Sequence, residues 1–116
     1  MTGIKRRIDC ELMASLVREL FVYDPVTGIL TRRISRRSRW KVGQRVGAIA
    51  QNGYRYINVD KKLYLAHRII WLYVYGEYPE LDIDHINGVR DDNRIENLRL
   101  ATRGQNNVNS SLQKNN

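Results

Sequence analysis

Asp84-His85-Ile86-Asn87-Gly88 leads through Val89-Arg90-Asp91 into Asp92-Asn93-Arg94-Ile95-Glu96-Asn97-Leu98-Arg99, and the run closes on Ala101-Thr102-Arg103-Gly104-Gln105-Asn106-Asn107. It reads as a strand from Leu81 to His85, a turn at Asn87-Gly88, a polar loop, a short apolar run from Leu98 to Ala101, and a helix. Asn-Gly is the dipeptide a tight reversal favours, because both residues tolerate positive φ. Thr102 with Gln105 three places on has the spacing of a capping box, which sets the start of that last helix. The Asn-rich stretch from residue 110 to 116 is expected to fray.

Upstream, Ala66, Ile69, Ile70, Tyr73 and Val74 fall on one helical face, Gly76 offers a C-terminal cap, and Pro79 prevents continuation. Before that helix, Tyr54 to Val59 and Leu63 to Leu65 are rich in strand formers and are split by Asp60-Lys61-Lys62, which predicts a hairpin. A second hairpin is predicted where Phe21-Val22-Tyr23 and Ile29-Leu30-Thr31 flank Asp24-Pro25-Val26-Thr27-Gly28. Ahead of it, Asp9 can cap a short amphipathic helix carrying Cys10, Met13, Leu16, Val17 and Leu20. The segment from Ser35 to Gly47 is basic and punctuated by glycine, and it is expected to be an arm that only a partner orders.

The chain has 116 residues, with 20 Lys and Arg against 12 Asp and Glu, a formal charge of +8. This length fits one domain, or one small domain with an arm. A single cysteine, Cys10, excludes an internal disulfide framework, and with only His67 and His85 beside it a four-ligand zinc site is excluded too. No apolar run approaches the roughly 20 residues of a membrane span, and the start lacks a signal-peptide pattern. A cytoplasmic protein with no membrane partner is expected. The charge is segregated: no acid occurs from Pro25 to Val59, whereas seven fall between Glu77 and Glu96. A basic half points to a polyanion, and the acidic cluster separately to a cation.

The run from Asp84 to Asn106 resembles the HNH, or His-Me finger, endonucleases, particularly the small phage and intron-encoded homing type. The resemblance extends over Ala66 to Asn109, and the Asp24-Pro25 hairpin and basic middle look like the amino-terminal part of such phage proteins. It implies an α+β fold in which a ββα-metal nuclease unit is preceded by a small helix and a β-hairpin basic region. Three parts follow: a DNA-contacting region over 1–50, the HNH nuclease domain over 51–109, and the tail. By position, His85 matches the general base, Asp84 a metal ligand, Asn97 the residue bracing the loop that holds the histidine, and Asn106 the second ligand. The family often has histidine at that last place. Magnesium, with manganese as the alternative, is the expected cofactor.

The residue chemistry agrees. Phosphodiester hydrolysis needs a base for water, and imidazole titrates in the right range. Charge building on the phosphate needs a hard cation, which carboxylate and amide oxygens bind. Simpler readings compete at each position. A lone His85 is more often structural, Asn97 can cap a turn, Asn106 can be an exposed helix residue with Asn107 as competitor, and His67 is by default a cap or a buried hydrogen-bonded residue. Asp82, Asp84 and Asn87-Gly88 imitate a calcium loop, but Asn87 stands where that loop requires glycine. Trp71 is read as core.

The sequence thus predicts a metal-dependent DNA endonuclease whose single Asp-His pair nicks one strand at a time. Double-stranded DNA is the expected partner, gripped by Arg32, Arg33, Arg36, Arg37, Arg39, Lys41, Arg45 and Arg55, with Trp40 among them. A monomer is favoured over a dimer, and no small-molecule cofactor is expected. The rival is a DNA-binding regulatory or packaging accessory that keeps the nuclease scaffold without catalysis.

Overall fold

The computed structural model describes residues 14–35 and 39–101. Residues 14–20 are helical (α1) and bury Ala14, Val17 and Leu20. The chain then enters a hairpin of β1 (Phe21–Asp24) and β2 (Ile29–Arg32), paired from Phe21↔Arg32 to Asp24↔Ile29. Its reversal is built by Asp24, whose side chain accepts from Val26 N at 3.0 Å while its carbonyl accepts from Gly28 N at 2.8 Å. Strand alternation sends Phe21 and Tyr23 inward and Val22 outward.

The basic segment that follows departs from expectation. Over 39–47 the chain's own β2 orders it: Arg32 N donates to Gln44 O and Val46 N to Leu30 O, both at 2.9 Å, and Thr31 bridges Arg45. The reason is Val46, an apolar residue within the charge run that is 2% exposed and so draws its flanks onto the core.

A three-stranded sheet comes next, in the order β3 (Ala48–Ile49), β4 (Arg55–Val59), β5 (Lys62–Leu65), all antiparallel. The two-residue β3 was not legible in the sequence. The β4–β5 turn places Asp60 and Lys61 at φ 48° and 69°, the doubly positive geometry that matches strand twist in a two-residue hairpin. Helix α2 (Ala66–Tyr75) follows directly and buries Ala66, His67, Ile69, Ile70 and Leu72. Gly76, at φ 80°, ends it by donating to Leu72 O at 2.8 Å.

The last hairpin pairs β6 (Asp82–His85) with β7 (Leu98–Ala101) in unbroken register, Asp84 opposite Arg99 and His85 opposite Leu98. A 3₁₀ turn at Ile95–Asn97 precedes β7. The expected final helix, with Thr102, Gln105 and Asn106, lies outside the described residues, as do Arg36 and Arg37. One apolar cluster joins Val17, Phe21, Leu30 and Val46 to Ile57, Ile69, Leu72 and Leu98, so the core straddles residue 50. Among the described residues no helix is long and apolar enough to cross a membrane.

Candidate active site

His85 ends β6 and is 7% exposed. Opposite Leu98 it faces the core side of the hairpin, and its Nε2 lies 2.8 Å from Asn93 Oδ1. The loop between β6 and β7 is tied to itself at both ends. Asn97 Oδ1 accepts from Asn87 N at 3.0 Å, and its Nδ2 donates to Asn87 Oδ1 at 3.0 Å and to Asp92 O at 2.9 Å. Three bonds from one buried amide close the loop across its base, and Gly88 N donates to His85 O at 2.9 Å to complete the turn.

Asp84, the neighbouring strand position, is aimed to the other face by alternation. Its Oδ2 accepts from Arg99 Nε at 3.1 Å and Nη2 at 2.9 Å across the ladder. Its side chain is 25% exposed. Asn106 is outside the described residues. Within them, no three His, Cys, Asp or Glu side chains form a group that could hold a metal ion. One carboxylate with an amide oxygen is a sparse, hard donor set. It fits a cation that keeps water and takes phosphate oxygens, and it does not fit zinc.

Two aromatic rings wall the histidine. The His67 ring stands nearly perpendicular to His85 with centroids 4.8 Å apart, and Tyr54 lies 5.5 Å from His67 and 6.0 Å from His85. His67 is not the cap of α2, which is Leu65, and its buried Nδ1 has no hydrogen-bond partner among the described residues. Burial, then the neighbouring His85 and Arg68, push its pKa down to about 3, so the ring is neutral.

Four acids of the cluster, Asp84, Asp91, Asp92 and Glu96, meet the chain's own arginines. Asp91 receives Arg55 Nε at 2.9 Å and Nη2 at 3.3 Å, with Arg45 at 3.6 Å. Asp92 is gripped by Arg94 through two 2.8 Å contacts and by Asn87 at 2.7 Å, which hold its carboxyl well below the usual range. Of the cations expected to meet DNA, Arg55 is thus committed to Asp91 and to Gly47 O. Arg32 stacks on Trp40 at 3.8 Å, and Arg33 Nε donates to Arg18 O at 3.1 Å. Arg33, Arg39, Lys41 and Arg45 are exposed.

Sequence reasoning missed Asn93, 2% exposed and in contact with His85, and the Arg55–Asp91 tie. Asn93 sits in a polar loop without periodicity, where one asparagine looks like another. Only the fold separates them.

Comparison with known proteins agrees with this architecture. Residues 64–108 match the family model described as HNH endonuclease. No curated protein sequence matches the chain. Among solved structures, I-HmuI, an HNH homing endonuclease that binds and cleaves DNA, superposes with a TM-score of 0.60 at 24% identity. The match covers 81% of this chain and 53% of that one, so the chain spans about half the length of the neighbour. At this identity the likeness is one of fold. Residues 64–108 thus match the HNH endonuclease family model, on a fold that the chain shares with an HNH homing endonuclease.

Proposed function

We propose that the chain is a metal-dependent DNA endonuclease that nicks duplex DNA, with His85 as general base. The observation that carries this reading is the held histidine: a buried imidazole fixed at one nitrogen by Asn93, on a loop closed by Asn97. A side chain so constrained loses little freedom when it meets a reacting water. In the proposed reaction His85 takes a proton from the attacking water, whose oxygen bonds to phosphorus as the bond to the 3′ oxygen breaks; that oxygen takes a proton from solvent, leaving 5′ phosphate and 3′ hydroxyl ends. Asp84 and Asn106 would hold a divalent cation, magnesium or manganese, which supplies neutralising charge at the phosphate and leaving oxygen.

Asp84 meets Arg99 in the present arrangement, so cation binding and the arginine compete for Oδ2. The grip on the duplex is assigned to the exposed cations Arg33, Arg39, Lys41 and Arg45, together with Arg36 and Arg37. DNA binding and cleavage by I-HmuI, which shares the fold, support DNA as the partner.

The test is relaxation of supercoiled plasmid with and without magnesium, using wild type and His85→Ala. Wild type should release open circles, and the variant should be slower by about a hundredfold or more while still binding DNA. Unchanged turnover in His85→Ala removes the base assignment. Binding without any cleavage, with magnesium or with manganese in its place, favours the accessory-protein reading.

A further inference from the structure

The geometry points to Asn93, held by the β1–β2 hairpin, as the positioning residue that fixes which nitrogen of His85 accepts a proton. This rests on the proposed role of His85 as base, but its structural part stands apart from catalysis. Asn93 Oδ1 is a carbonyl oxygen and can only accept, so the nitrogen 2.8 Å away, Nε2, must be the one that carries hydrogen. In the neutral ring that leaves the lone pair on Nδ1. The proton taken from water therefore goes to Nδ1, while Nε2–H stays anchored and spreads part of the growing positive charge onto the amide oxygen.

Asn93 does not hold this pose by itself. Tyr23 Oη donates to Asn93 O at 2.6 Å, a buried bond spanning 70 residues of sequence. Beside it the hairpin's Gly28 lies against the same backbone, so close that a Cβ there would sit 2.5 Å from Arg94 N and 2.6 Å from Asn93 C. The hairpin thus touches the loop at two points, one polar and one steric, and both bear on the residue that bears on His85. Burial pushes the Tyr23 hydroxyl up to about 12, so it remains a donor throughout the neutral range.

The experiment is long-range ¹H–¹⁵N NMR of the histidine side chains in the full chain, near neutral pH and without metal, paired with single-turnover cleavage. Wild type should show His85 protonated at Nε2 alone. Asn93→Leu, which removes the acceptor at similar volume, should give a mixture of tautomers and slow cleavage by about 10- to 100-fold with DNA affinity unchanged, the range that loss of an orienting hydrogen-bond partner costs metal-ligating histidines. Asn93→Asp keeps an acceptor and should keep the tautomer. Tyr23→Phe keeps the ring and removes only the hydroxyl, so it should shift the tautomer ratio in the same direction by less, and it serves if Asn93→Leu does not fold. Wild-type His85 protonated at Nδ1, or a tautomer indifferent to both Asn93→Leu and Tyr23→Phe, overturns the inference. A wild type that shows the expected tautomer but never cleaves DNA overturns the nuclease proposal and leaves the tautomer control standing.

Discussion

His67 shows how a residue of low standing in the sequence acquires meaning from its surroundings. Its ring is buried against His85, with a pKa depressed to about 3 from an ordinary value of 6.5. Because the folded value is the lower one, the unfolded chain binds more protons between these limits. Stability is therefore fully present above pH 6.5 and lost as pH falls towards 3, at up to about 1.4 kcal/mol per pH unit. Urea melts at pH 7, 5 and 4 should show wild type weakening more steeply than His67→Phe, which keeps a ring and has no proton to take up. Parallel losses in the two proteins would mean that His67 is not held neutral. Asn97 poses a different question. Its amide makes three bonds within the loop, and Asn97→Ala should cost about 1–3 kcal/mol in the same melts, since it strands Asn87 N and Asp92 O.

Among the elements, those with a local signal were legible: the Asp24-Pro25 hairpin, the Ala66–Tyr75 helix with its Gly76 cap, and the Leu98–Ala101 strand all follow their sequence cues. The signals failed where the cause is distant. Strand β3 exists because β4 offers an edge to Ala48 and Ile49, and the segment over 39–47 is ordered because Val46 finds a core built by residues far from it. Tyr23, Gly28 and Asn93 meet across a gap that periodicity cannot see. Two glycines test this. Gly28 and Gly88 have φ of 76° and 78°, but a Cβ on Gly88 meets nothing within 4 Å, whereas one on Gly28 collides with the Asn93–Arg94 backbone. Alanine at 88 should cost roughly 1–2 kcal/mol of backbone strain. Alanine at 28 should cost clearly more, because it also pushes the hairpin off the loop. Equal melting temperatures for the two variants would deny that contact.

For the molecule as a whole, the net charge of +8 is not spread evenly over working surfaces, because Arg55, Arg94 and Arg99 are tied to the chain's own carboxylates. Arg55, whose side chain is 13% exposed, faces Asp91, while Arg39 and Lys41 lie in the open. DNA-binding titrations from low to moderate salt should separate these classes. Arg39→Ala and Lys41→Ala should each lower the log–log slope by about 0.9, with little change in stability. Arg55→Ala should leave the slope nearly unchanged and instead cost about 1–3 kcal/mol of folding free energy. A slope that drops only in the Arg55 variant would reverse the assignment.

The contact of Tyr23 and Gly28 with the histidine loop also bears on how such genes can be recombined. The segment that carries the family's pattern begins at residue 64, yet the props of its loop are encoded some forty codons earlier. A crossover between the codons for Leu30 and Tyr64 would join a loop to a hairpin shaped for a different neighbour. One placed upstream of Phe21 would transfer both together. Viable chimaeras of this chain should therefore have breakpoints clustered ahead of the hairpin, and residue 28 should stay glycine in all of them, because the atoms it abuts are backbone that no side-chain change at 93 or 94 removes.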